Sequence, residues 1–263
     1  MKKVLLFLAL LSYLNSFSQH KKIIYADEYF NTISFTNYQK KLSSNLFDIA
    51  EIENDTAIIK KLRYASYYGK LKAVTNRQLS KILNKRFNID TTKTLLIHYI
   101  NSVPDIKKMP KESGIEFLDS LNNNTGIFLT ESKFKTDLKK YSYNKHKHVL
   151  SKDDFFKKIK SERKKFSKKI ELIHFYKTNN GFPVKKLSPY NYFKDDNNLI
   201  SRLFSDKTKM YKVILIHPNG EFYVSKFSHG SFLREKKLTK KSFYKKEKKI
   251  WKKKLTNLSN KSS

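Results

Sequence analysis

The hydrophobic pattern of the chain repeats one unusual stretch three times. Residues 92–101 (TKTLLIHYIN), 169–176 (KIELIHFY) and 211–218 (YKVILIHP) each carry Leu-Ile-His inside a short run with no polar face. Such a run predicts a strand covered on both sides, as in the interior of a parallel sheet. After the third run, Pro218-Asn219-Gly220 is a tight-turn sequence, and residues 221–227 (EFYVSKF) alternate in character, which predicts a hairpin. Helical spacing fills the gaps. Ser151 followed by Asp153 and Asp154 opens a helix with Phe155, Ile159 and Phe166 inward. A short helix is expected around 197–204. A last, basic helix runs from Thr239, with Phe243, Ile250, Trp251, Leu255 and Leu258 on one side.

Upstream, residues 22–26 (KIIYA) predict a short strand, and Ser34 or Thr36 caps a helix expected through Leu42 to Ile49. Asn54-Asp55-Thr56 breaks the pattern. A further helix is expected from Ala57 to Tyr67, closed by Gly69. Thr75 and Gln78 have capping-box spacing ahead of a stripe formed by Leu79, Ile82, Leu83 and Phe87. Residues 19–90 are thus expected to form a mainly helical extension that packs on the following core. Between the first two Leu-Ile-His runs, the spacing predicts a helix over 113–121, an extended piece at 127–129 and an exposed loop over 141–148.

Written as elements, residues 92–258 run β-α-β-α-β-β-α, with the first two strands parallel by the crossover rule. This α/β layout resembles the thioredoxin-like fold, with the 211–227 hairpin in the place of that fold's final strand pair. The resemblance covers residues 91–258 and leaves a tail at 259–263. It implies a redox dithiol just after the first core strand, but that segment reads Ser102-Val103-Pro104-Asp105. The cis-proline implied before the third strand is replaced by Met210. With no cysteine anywhere, thiol–disulfide exchange is excluded. What the resemblance implies here is a redox-inactive member that serves as a scaffold or binding module without a cofactor.

Composition changes the picture in two ways. The formal net charge is +33 over 263 residues. A field of that size draws polyanions such as nucleic acid, acidic polysaccharide or anionic lipid headgroups. All but six of the 56 basic residues are lysine, which fits diffuse attraction better than the bidentate phosphate recognition typical of arginine. The N-terminus is the second point. Lys2 and Lys3 precede an apolar run from Val4 to Leu14 and a small-residue site at Ser16–Ser18, the pattern of a signal peptide over residues 1–18 cut between Ser18 and Gln19. Export to the periplasm or cell exterior, with no membrane span in the mature chain, is the expectation. The partner classes that follow are another envelope protein or an anionic polymer.

Candidate chemistry is sparse. His98 and His174 are expected to end neighbouring parallel strands at the carboxyl edge of the sheet, where open α/β sheets bind ligands. Two imidazoles there suit a shared metal or an acid–base pair, so the expectation that competes with a binding protein is a metal-dependent or hydrolytic enzyme using this edge. No carboxylate stands beside either in sequence, so strand histidines satisfied by backbone are the plainer expectation. His217 lies on an antiparallel strand and is expected at the opposite end. His146 and His148 place two rings on one side of an extended segment near Asp153 and Asp154, a weak surface metal site. Ser228 and His229 adjoin without a nucleophile elbow. Aromatics interleave with lysines at Tyr141/Tyr143, Tyr190/Tyr192/Phe193 and Phe243/Tyr244, as in sequence-tolerant strand binders. Walker, dinucleotide-glycine, HExxH and EF-hand patterns are all missing.

Overall fold

The computed structural model describes residues 21–121, 123–130, 132–133, 145–166, 170–206, 209–226 and 237–259. The signal-peptide segment with Ser18 and Gln19, the Ser228–His229 pair, Tyr141, Tyr143 and residues 260–263 lie outside the described residues. In chain order the elements are β1 (Lys22–Ala26), α1 (Phe35–Leu42), β2 (Phe47–Glu53), β3 (Ala57–Tyr64), β4 (Ser66–Lys70), α2 (Ala73–Phe87), β5 (Thr94–Val103), β6 (Gly114–Leu118), β7 (Asn124–Thr130) and β8 (His146–Val149). They continue with α3 (Lys152–Lys165), β9 (Ile170–Asn179), α4 (Val184–Leu187), β10 (Tyr192–Lys194), α5 (Leu199–Phe204), β11 (Ser205–Asp206), β12 (Lys209–Met210), β13 (Val213–Ile216), β14 (Glu221–Ser225) and α6 (Lys241–Ser259). The protein is mixed α/β and divides into two compact units. Of the described residues, one unit comprises 21–67 with 205–206, 209–210 and 245–259, and the other comprises those between 68 and 204 and between 211 and 244.

The larger unit holds a mixed sheet in the order β10-β9-β5-β13-β14-β4. β5 and β9 are parallel, β13 runs antiparallel to β5, and β13 and β14 form the expected hairpin. The three Leu-Ile-His runs therefore lie in adjacent strands of one layer. Leu96, Ile97, Ile173, Ile214 and Val224 have essentially no exposure, which is what an all-apolar run requires of its surroundings. On one face α2 contributes Leu79 and Leu83, and Phe87 packs edge-on to Phe175. Asp195 on that side is buried. It accepts from the Tyr99 hydroxyl (3.1 Å) and from the backbone N–H groups of Ile200 (2.8 Å) and Ser201 (3.0 Å) at the start of α5. Burial, and then the Asp195 charge, push the Tyr99 phenol up to about 12. The opposite face carries a cluster in which Ile159 of α3 meets Val103, Tyr176, Phe182, Leu187 and Tyr192.

The segment expected as a helix over 113–121 is a strand. Ile115 and Phe117 are buried while Glu116 and Leu118 are not, so the two-residue alternation overrides the looser helical spacing of Ile115, Leu118 and Leu121. β6 is the centre of a small antiparallel sheet, β7-β6-β8. It includes residues 146–149, which were expected as loop.

The smaller unit departs further from expectation. Residues 47–53 and 57–64 are strands, and 66–70 is the edge strand of the larger unit's sheet, so the N-terminal part is not a helical layer. β3 pairs parallel with β1 and antiparallel with β2. Asn54-Asp55-Thr56 turns the β2–β3 hairpin, with Asn54 Oδ1 accepting from the N–H groups of Thr56 (3.0 Å) and Ala57 (2.7 Å). Local spacing in this region satisfied a helix as well as a strand, and cross-strand pairing decided between them. Phe47 stacks on Tyr64 and Asp48 receives Arg63 (3.1 Å), each pair in register across β2 and β3. Only the helix capped by Ser34 is retained, ending at Leu42 instead of continuing to Ile49. It covers the sheet face where Tyr38, Phe47 and Leu62 are buried. Among the described residues no helix is long and apolar enough to cross a membrane.

Gly69, expected to end a helix, lies in β4 beside β14. A Cβ there would fall 2.2 Å from Cζ of Phe222, a ring held edge-on to Phe204. Gly69→Ala is expected to destabilise the protein by about 1–3 kcal/mol through overpacking, read as a lower denaturation midpoint with an unchanged slope in urea.

A buried His–Glu–His cluster as candidate functional site

His98 and His174 are not at the carboxyl edge of the sheet. Their strands continue to Val103 and Asn179, so both histidines sit mid-strand, directly paired in the β5–β9 register. The same register places Val213 on the other side of His98 and Tyr192 on the other side of His174. Residues paired across neighbouring strands share a face, so Tyr192, His174, His98 and Val213 form one row across the sheet. That row faces α3, the crossover helix between β5 and β9.

α3 also supplies a carboxylate. Glu162 is only 8% exposed, and its carboxylate comes to the two rings. One ligand atom from each of His98, Glu162 and His174 lies within 4.8 Å of the other two. Among the described residues this is the group of three histidine, aspartate or glutamate side chains arranged closely enough to share a metal ion. Both histidines are 1% exposed. Their rings meet edge to face at 5.2 Å between centroids, and His174 stacks on Tyr192 at 4.1 Å with planes 12° apart. Burial, and then the charge of Glu162, raise the Tyr192 phenol well above its ordinary range.

The signal for Glu162 was present in the sequence. It follows Ile159 by three residues and precedes Phe166 by four, so it occupies a core position in the stripe formed by Phe155, Ile159 and Phe166. An acid in that position is buried by the helix that carries it. A carboxylate out of water requires a cation or several donors beside it. Here two imidazoles provide either imidazolium partners or the remaining ligands of a metal.

The other candidates do not converge. His217 is held at the far end of β5, its Nδ1 3.2 Å from the Thr94 hydroxyl, as expected of the antiparallel strand. His146 and His148 are exposed on β8 with ring centroids 5.6 Å apart. Asp154 does not join them: its Oδ2 accepts from the Ser113 (2.6 Å) and Ser151 (3.0 Å) hydroxyls. Those bonds, with Lys157, hold its carboxyl below the usual range. No protein-family model matches the chain, and comparison with curated proteins and with solved structures finds no match.

His217 has a measurable consequence of its own. Burial lowers its pKa below 6.5, and the nearby Lys241 acts in the same direction against the opposing charge of Glu221. The unfolded chain therefore binds the proton more readily. The stabilisation is complete above the unfolded value near 6.5 and is lost as pH falls through it toward the folded value. Urea midpoints measured from pH 8 to 5 are expected to fall over the acid half of that range. His217→Gln should flatten the fall.

Proposed function

We propose that this is an exported protein that acts by binding, with a divalent transition-metal ion held by His98, Glu162 and His174 in the core of a thioredoxin-like, dithiol-free sheet. The observation that carries the reading is the arrival of the Glu162 carboxylate between two register-paired imidazoles that are otherwise shut off from water. Imidazole with a single carboxylate suits zinc, iron, nickel or copper and is poor for calcium or magnesium, which prefer oxygen donors. Three side chains are the ligand count of an open zinc site. Burial of both rings and of the helix face above them leaves the open position to water or a small anion and not to a substrate-sized molecule, which favours binding over hydrolysis. The strand order β9-β5-β13-β14, with one parallel pair followed by an antiparallel hairpin, supports the thioredoxin-like reading. Ser102–Asp105 at the end of β5 supports its redox-inactive form.

The test is metal uptake by the full chain after unfolding in chelator and refolding with Zn2+, Co2+, Ni2+ or Cu2+ in turn. One ion per chain is expected for at least one of these. Glu162→Gln, which keeps the shape of the side chain but removes its charge and replaces one ligand oxygen with an amide NH2, should weaken uptake by at least about 100-fold, since even residues behind a ligand commonly cost 10–100-fold. The reading fails if the refolded wild-type chain takes up none of the four. It fails equally if Glu162→Gln and His98→Asn, checked for native near-ultraviolet dichroism, bind as the wild type does.

A further inference from the structure

The smaller unit holds a second constellation, unrelated to the metal site. The loop after β1 is closed by Asp27, whose Oδ1 accepts from the N–H groups of Tyr29 (2.9 Å) and Asn31 (2.8 Å) and whose Oδ2 accepts from the Asn31 amide (3.0 Å). Backbone bonds from Asp27 to Asn31 and from Phe30 to Asp27 lock the turn further. Phe30 is held at φ +73°, a conformation costly for an aromatic residue that persists only where the surroundings over-determine it. Its ring lies beneath the Lys61 ammonium at 4.2 Å. The effect is to present Tyr29, 71% exposed, from a rigid support.

Tyr29 borders a pocket of 370 Å3, lined also by the polar Glu28, Lys41 and Thr256, the aromatic Phe47 and Tyr64, and the aliphatic Leu255 and Leu258. Such a volume is at the small end of ligand-sized pockets, about 300–1,000 Å3. Phe47 and Tyr64 stack at 5.1 Å. The Tyr29 and Tyr64 hydroxyls are 3.4 Å apart, and the Lys41 ammonium donates to Glu28 Oε2 at 2.8 Å. Burial, then the hydrogen bond with Tyr29 and the charge of Glu28, keep the Tyr64 phenol protonated far beyond its usual range.

The chemistry of this lining selects its occupant. An apolar molecule would suit Leu255 and Leu258, but it would strip water from the Glu28–Lys41 pair and the Tyr29 and Tyr64 hydroxyls without offering their remaining donors and acceptors a partner. A cationic guest would have to displace Lys41 from the carboxylate, and an anionic one would meet Glu28. A neutral polyhydroxylated ring conflicts with none of these. Its C–H face covers an aromatic ring, while its hydroxyls both donate to the carboxylate and accept from the ammonium and phenols. We infer that the pocket bordered by Tyr29, Glu28, Lys41 and Tyr64 binds a neutral pyranose unit of a glycan.

Trp251, the single tryptophan, lies 5.8 Å from Tyr64 between ring centroids, so its emission responds to a change of environment at Tyr64, a wall of this pocket. The experiment titrates the full chain with cellotetraose, maltotetraose, N,N′,N″,N‴-tetraacetylchitotetraose and tetragalacturonate while following Trp251 emission, with calorimetry in parallel. The expected result is a saturable change with at least one neutral sugar, unaffected by added salt. It should weaken at least tenfold in Tyr29→Ala, an exposed position that leaves packing intact, and also in Glu28→Gln. The inference is overturned if no neutral sugar binds at millimolar concentration, or if Tyr29→Ala binds as tightly as the wild type. It is overturned as well if only tetragalacturonate binds and salt abolishes it, which would be attraction to the lysine-rich surface. None of these outcomes bears on metal uptake by the larger unit.

Discussion

The pairing of β5 with β9 is the constraint on which the larger unit depends. It is the longest ladder of that sheet, and it aligns Leu96 with Leu172, Ile97 with Ile173 and His98 with His174. A one-residue slip of either strand would turn every side chain of that strand to the opposite face and part the two histidines. The register therefore sets two things at once. It decides which residues fill the two hydrophobic layers, and it decides that two imidazoles share one face beneath α3. Parallel pairing requires a crossover, and part of that crossover is the helix that delivers Glu162. Topology and candidate chemistry thus come from one arrangement.

The two faces of this sheet handle buried polarity differently. On the α5 side, Asp195 is satisfied by a tyrosine hydroxyl and two helix-start N–H groups, an arrangement that anchors α5 and needs no further partner. On the α3 side, the buried polar groups are a carboxylate and two imidazoles, which are also a ligand set. The first reads as architecture and the second as chemistry, because only the second brings together side chains that share affinity for the same kind of ion.

The smaller unit solves a different problem. The eight-residue α1 does not cover the face of its three-stranded sheet alone, and Leu255 and Leu258 of α6 add to the cluster around Tyr38, Phe47 and Leu62. The cluster is rich in aromatic rings, in keeping with the 20 Phe and 16 Tyr of the chain. Rings at the margin of such a core keep one face toward solvent, and that is the physical origin of the Tyr29–Tyr64 pocket.

The mixed α/β class, the three Leu-Ile-His strands, the 213–225 hairpin, α3 and the basic C-terminal helix were all legible along the chain, because each rests on a local period that nothing distant contradicts. Residues 47–64 and 114–118 were not, since their spacing serves a helix nearly as well as a strand and only ladder partners remote in sequence choose between them. The histidine pairing followed from the repeated motif, but its depth in the sheet did not. The strands run past His98 and His174 into Tyr99–Val103 and Phe175–Asn179, segments that become strand by pairing with each other. Glu162 could be placed on the inward stripe of its helix from sequence. That it ends beside two imidazoles is a matter of how α3 lies across β5 and β9, which no local pattern encodes.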